Sequence, residues 1–169
     1  MKRINYPSIE LGFLSSLSKV LLLALFCFMG SSVLAQPLSG NYSIDPLGSG
    51  PTNFTTINAA VSSLTANGVS GPVTFNIASG TYAEQVSIPS ITGAGPTSRI
   101  IFQSATGDST DVIIQFTPGS SNNYIWRFDG AHDIKLRNVT LDNNSTSYGR
   151  CLVIQGGAYS DTVNNCALL

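Results

Sequence analysis

The sequence predicts an all-β fold: a parallel β-helix, a solenoid of about four coils, with an N-terminal capping helix. Three observations point there. Pairs of apolar residues spaced i, i+2 recur along the chain, which is the period of a strand with one buried face. The pairs return at steps of 26 to 27 residues. Gly, Asn, Ser, Asp and Pro fill the gaps, as in Pro118-Gly-Ser-Ser-Asn-Asn123 and Asp142-Asn-Asn-Ser145, which are turn compositions.

Residues 1–35 read as a signal peptide. Lys2, Arg3 and Lys19 precede an apolar run, Val20 to Met29, and Gly30-Ser-Ser-Val-Leu-Ala35 follows with small residues suited to cleavage before Gln36. The run is too short to cross a bilayer as a helix, so no stable membrane span is expected after cleavage. The expected location is secreted or at the cell surface of a bacterium. The mature chain then holds five basic and eight acidic residues, a net charge of −3. Without a basic block, nucleic acid is not an expected partner.

Residues 36–72 are expected to form the N-terminal strand and cap. Tyr42 and Ile44 suit a strand. Phe54, Ile57, Val61 and Leu64 fall at i, i+3, i+7, i+10 and predict a helix over 53–66, with Thr52 or Asn53 as its N-cap and Asn67-Gly68 as its stop. Such a helix would cover the apolar end of the first coil.

Residues 73–169 are expected to be the coils, each with two short strands. One column runs Val73/Phe75, Ile100/Phe102, Trp126/Phe128, Leu152/Ile154. The other runs Val86/Ile88, Val112/Ile114, Val139/Leu141, Cys166/Leu168. Gly130-Ala131 also matches Gly157-Ala158, Leu136 matches Val163, and Asn138 matches Asn165, all at offset 27. Trp126 is placed inward and Tyr124 outside the strand, exposed. Cys151 and Cys166 fall on different columns and are read as small apolar residues rather than a disulfide. The apolar stretch ending in Cys166-Ala-Leu-Leu169 is expected to be covered by further coils or another chain.

The segments Phe54-Thr-Thr-Ile-Asn-Ala-Ala-Val61, Pro72-Val-Thr-Phe-Asn-Ile77 and Gly80-Thr-Tyr-Ala-Glu-Gln-Val-Ser-Ile88 resemble the opening of the pectin-lyase-like superfamily. The nearest resemblance is to large secreted bacterial proteins with right-handed parallel β-helix repeats. It spans about residues 38–169. It implies a right-handed coil, in line with the crossover rule, and says little about chemistry, because one fold hosts many functions. The catalytic Asp/Asp/Arg segments of pectin methylesterases have no match here.

The outward positions next to the two columns form the expected faces. The rows are Thr74, Ile101, Arg127, Val153 and Asn76, Gln103, Asp129, Gln155 in the first, and Ser87, Ile113, Thr140, Ala167 in the second. None stacks two carboxylates, so neither the acid pair of a glycosidase nor the cluster of a calcium-dependent lyase is visible. No catalytic residue and no cofactor are expected. Calcium comes into question only at Asp108 and Asp111, and two carboxylates are too few. The best polar patch is Arg127, Asp129, His132 and Asp133, with Lys135 and Arg137 beyond, a binding surface or a solvated turn. Asn138 and Asn165 are expected to stack as a structural amide ladder. Glu84 is expected to order its turn. The function these features favour is a non-catalytic extracellular scaffold or adhesion module facing a polysaccharide or cell-surface partner. The alternative is the opening part of a polysaccharide lyase, hydrolase or esterase with its active site beyond residue 169.

Overall fold

The computed structural model describes residues 36–169, so the segment expected to be a signal peptide lies outside the described residues. The order of elements is β1 (Leu38–Ile44), β2 (Asn53–Phe54), α1 (Ile57–Asn67), β3 (Val69–Ile77), β4 (Gly80–Tyr82), β5 (Val86–Pro89), β6 (Ile100–Ser104), β7 (Val112–Phe116), β8 (Trp126–Asp129), β9 (Ile134–Arg137), β10 (Thr140–Asn143), β11 (Leu152–Gln155), β12 (Thr162–Asn164) and β13 (Ala167–Leu168). The fold is β-rich with one described helix. No described helix is long and apolar enough to cross a membrane.

The strands lie in three sheets, and all their ladders are parallel. The first sheet has the order β12-β9-β6-β3-β1-β2, the second β13-β10-β7-β4 and the third β11-β8-β5. From β3 onward each strand pairs with the third strand after it. Each unit therefore holds three strands, not the two expected from the apolar columns.

The correction has a simple origin. The step of 27 holds from Val73 to Ile100, from Ile113 to Thr140 and from Lys135 to Thr162, and it is 26 from Trp126 to Leu152. Elsewhere the loops between strands lengthen the turn. Gly80 pairs with Val112 (32 residues on), Ile100 with Ile134 (34) and Val86 with Trp126 (40). Trp126/Phe128 therefore follows Val86/Ile88 on the third sheet, and Ile134/Leu136 follows Ile100/Phe102 on the first. The Val112, Val139, Cys166 column holds.

The inward residues of the three sheets form one core. Val73, Phe75, Ile100, Phe102, Val112, Ile114, Trp126, Phe128, Leu136 and Leu141 are all fully buried. Stacking strands also stacks their rings. Phe75 lies on Phe102 with centroids 4.7 Å apart and planes at 17°, and Phe102 meets the edge of Trp126 at 5.4 Å. Each such pair adds about 0.5–1.5 kcal/mol beyond the buried area. Tyr82 is buried in β4. Its hydroxyl donates to the Ala78 carbonyl (2.8 Å), and burial pushes its phenol up to about 12, aided by Asp45 and Glu84.

The helix begins later than expected. Phe54 is not its first apolar residue but part of β2, paired with Ile44 and packed against Tyr42 and Phe75. Thr56 is the N-cap, its Oγ1 accepting from the Ala59 amide at 3.0 Å, and neither Thr52 nor Asn53 serves. Gly68 ends the helix at φ +68, as the Asn67-Gly68 signal predicts. Ile57, Ala60, Val61 and Leu64 form the buried stripe.

The turns between sheets use left-handed backbone at repeating places. Gly130 and Gly157 (φ 75 and 79), Asp133 and Ser160 (58 and 57), and Asn138 and Asn165 (56 and 51) recur at offset 27. Gly and Asn tolerate that region best. The offset-27 match read from the sequence thus describes one turn without insertions.

Candidate functional site

The first sheet carries the longest outward face. Along each of its strands one side chain points to the core and the next points out. Register sets Ser43, Asn76, Gln103, Arg137 and Asn164 in one outward row, and Asn41, Thr74, Ile101, Lys135 and Thr162 in the next. The first row is hydrogen-bonded across strands. Gln103 Nε2 donates to Asn76 Oδ1 (2.8 Å), and Arg137 Nε donates to Gln103 Oε1 (2.6 Å). At the far edge Ser43 Oγ donates to Asn53 Oδ1 (2.7 Å). The bonds fix amide and guanidinium planes one strand spacing apart, about 4.8 Å.

Sequence reasoning found Asn76 and Gln103 but joined them to Asp129 and Gln155. Those two lie on the third sheet, with Arg127 and Val153. Lys135 and Arg137 take their places. Ile113 and Thr140 do neighbour each other on the second sheet, with Ala167 beyond, whereas Ser87 neighbours Arg127. The missing signal was the 34-residue turn between β6 and β9, which spacing alone did not expose.

The structure divides the polar patch expected at Arg127, Asp129, His132 and Asp133. Arg127 and Asp129 point out from β8. Arg127 Nε donates to Ser87 Oγ (3.0 Å) and sits 3.5 Å from Asp129 Oδ2, and its guanidinium lies 4.3 Å over the Tyr124 ring. Tyr124 is buried beneath that lid, against the expectation that it is exposed. Cation–π contact and apolar burial hold both side chains down.

His132 and Asp133 belong instead to the turn into β9. Asp133 is 3% exposed, with one carboxylate oxygen 3.3 Å from Arg99 Nη2 and the other 3.3 Å from His132 Nδ1. The His132 ring stacks on Tyr159 at 5.0 Å. Asp161 lies nearby. Its Oδ1 accepts the Ile134 amide at 2.9 Å, while Oδ2 is buried without a partner. Burial pushes its carboxyl above the ordinary value. The Ile134 bond and His132 pull the other way, and Asp133 adds to the rise. These groups link the turn before β9 to the turn before β12.

The remaining candidates are turn elements. Asn165 Nδ2 donates to Asn138 Oδ1 at 2.8 Å, linking two turns. Asp108 Oδ1 accepts the amide and hydroxyl of Thr110, which hold its carboxyl below the usual range, and Asp111 Oδ2 accepts from Thr106 Oγ1 at 2.6 Å. Among the described residues no group of three or more His, Cys, Asp or Glu is placed to hold a metal ion. Cys151 and Cys166 are free thiols, both pushed up by burial.

Glu84 has a role that sequence reasoning only approached. Its carboxylate accepts the amides of Ile57 (2.9 Å) and Asn58 (2.8 Å) and the Asn58 side-chain amide (2.7 Å). An anion at a helix N-terminus meets unpaired N–H groups and the positive end of the helix dipole. Glu84 thus ties the start of α1 to the segment between β4 and β5. No family model, curated protein or solved structure matches the chain.

Proposed function

We propose that this chain is an exported right-handed parallel β-helix that acts as a non-catalytic scaffold and presents a flat outward sheet to glycans. The solenoid reading rests on three parallel sheets in which every strand from β3 onward pairs with the third one after it. The glycan reading rests on one observation: the Asn76–Gln103–Arg137 ladder, whose donors and acceptors are held in line across three strands. Sugar hydroxyls both donate and accept, and fixed amides answer them at low entropic cost. The strand spacing is close to the advance of one pyranose unit along an extended chain, so a linear glycan lying across the strands meets a similar group at each step.

The scaffold role follows from how the other polar groups are used. Asp133, Asp161, Glu84 and Arg127 are engaged in holding turns, a helix and a ring rather than facing a common cleft. The test is retention on a panel of immobilised linear polysaccharides. Retention that falls at least tenfold in Gln103→Ala, with an unchanged melting temperature, supports the reading. A chain that passes every glycan column unretarded overturns it.

A further inference from the structure

Five basic residues lie in the described part of the chain, and they are not spread evenly. Arg99 pairs with Asp133 and Arg127 with Asp129. Lys135 and Arg137 pair with no carboxylate among the described residues, and both point outward from β9. By register, the described outward positions of the first sheet are Asn, Ser, Thr, Ile, Gln, Lys and Arg, with no Asp or Glu. A part of the chain with net charge −3 therefore gathers its two strand-borne free cations on a sheet face that bears no carboxylate.

We infer that this face selects sulfated linear glycans, with Lys135 and Arg137 as the anion-binding pair. The inference rests on the glycan reading above and names the class of ligand. Arg137 is already oriented, because its Nε is held by Gln103 Oε1, which leaves the Nη groups to face a ligand. Guanidinium binds oxyanions through paired N–H donors, and a lysine ammonium adds a point charge. The two cations stand at i and i+2 on one strand, on the same side. A sulfate ester carries three terminal oxygens in a tetrahedral spread, enough to engage both. A carboxylate has two oxygens in one plane, which the Arg137 fork alone satisfies. The amide row beside the pair then holds the hydroxyls of neighbouring sugars. The rest of the chain, net negative, repels polyanions and keeps them on this face.

The experiment compares dextran sulfate, polygalacturonate and unmodified dextran of equal chain length, using the full chain and its variants. Binding to dextran sulfate is expected to exceed the other two at least tenfold and to weaken as salt rises. Lys135→Gln/Arg137→Gln is expected to lose that excess. Arg150→Gln, which removes one charge from an exposed loop, is expected to keep it. Equal binding of all three polymers, a preference for polygalacturonate, or an unaltered double variant overturns the sulfate inference and leaves the glycan reading standing. Binding to none of the three overturns both. Equal loss in the double variant and Arg150→Gln marks simple ion exchange and also overturns the inference.

Discussion

Replacing Glu84 with Gln tests whether a carboxylate 27 residues downstream is what closes the start of α1. The wild-type carboxylate accepts three bonds, two from the first helix amides and one from the Asn58 side chain. Gln keeps one oxygen and turns an NH2 toward the remaining donors. At least one charge-assisted bond is lost, worth about 1.5–3 kcal/mol. The favourable charge at the helix N-terminus goes too, about 0.3–1 kcal/mol. Glu84 is half-exposed, so water replaces part of the loss, and the net expectation is about 2 kcal/mol. With a urea slope of about 1–3 kcal/mol/M, the midpoint falls by roughly 1 M. Hydrogen exchange supplies the local readout: the amides of Ile57 and Asn58 should lose protection while those of β6 and β9 keep theirs. A midpoint within about 0.2 M of wild type, with those two amides still protected, would refute the view that Glu84 fastens the cap.

Three further predictions concern the core and the turns. Phe102→Ala empties the space between Phe75 and Trp126 and should cost about 3–5 kcal/mol by chemical denaturation; a loss under about 1 kcal/mol would mean the rings do not carry the core. Gly93 sits at φ +84, where an added Cβ would run into the Val69 carbonyl, whereas Gly107 at φ +82 has open space around it. Gly107→Ala should therefore cost only the backbone penalty of about 1 kcal/mol and Gly93→Ala at least twice that; equal costs would refute the close approach. Asp161 has its folded value raised above 3.8, so its contribution is fully present below that pH and is lost as pH rises through the folded value. Melting curves of the wild type and Asp161→Asn should accordingly diverge in favour of Asn from about pH 4 upward, and curves parallel across that range would show that the buried oxygen is not penalised.

How much of this was legible in the sequence depended on whether a residue's partner mattered. The apolar i, i+2 pairs from Val73/Phe75 to Val139/Leu141 marked buried positions correctly, because any apolar pair fits any inward column. Val73/Phe75 is as buried beside Ile100/Phe102 as Trp126/Phe128 is beside Val86/Ile88. The third strand of the first unit stayed hidden because β4, with only Gly80, Thr81 and Tyr82, has no such pair. Phe54 read as helical because its spacing to Ile57 suits a helix, while its contacts with Tyr42 and Phe75 are long-range and leave no local trace.

Outward residues obey a stricter rule. A ladder such as Asn76–Gln103–Arg137 exists only in one register, and counting 26 residues where the turn holds 34 moves Arg137 out of the row and Asp129 into it. The Asn138–Asn165 link was readable because its turn carries no insertion. The polar patch dissolved for a related reason: neighbours in sequence from Arg127 to Arg137 pass a left-handed corner at Asp133 and divide between two sheets. When parallel strands stack in this way, the core therefore tolerates an error in register that the outer face does not. Insertions in the loops change which side chains share a row while leaving the apolar columns filled. That gives such a chain a means of altering its outer face without repacking its interior, and it places the loops between β5 and β9, rather than the strands, as the segments whose lengths set which side chains share the outer rows of the first sheet.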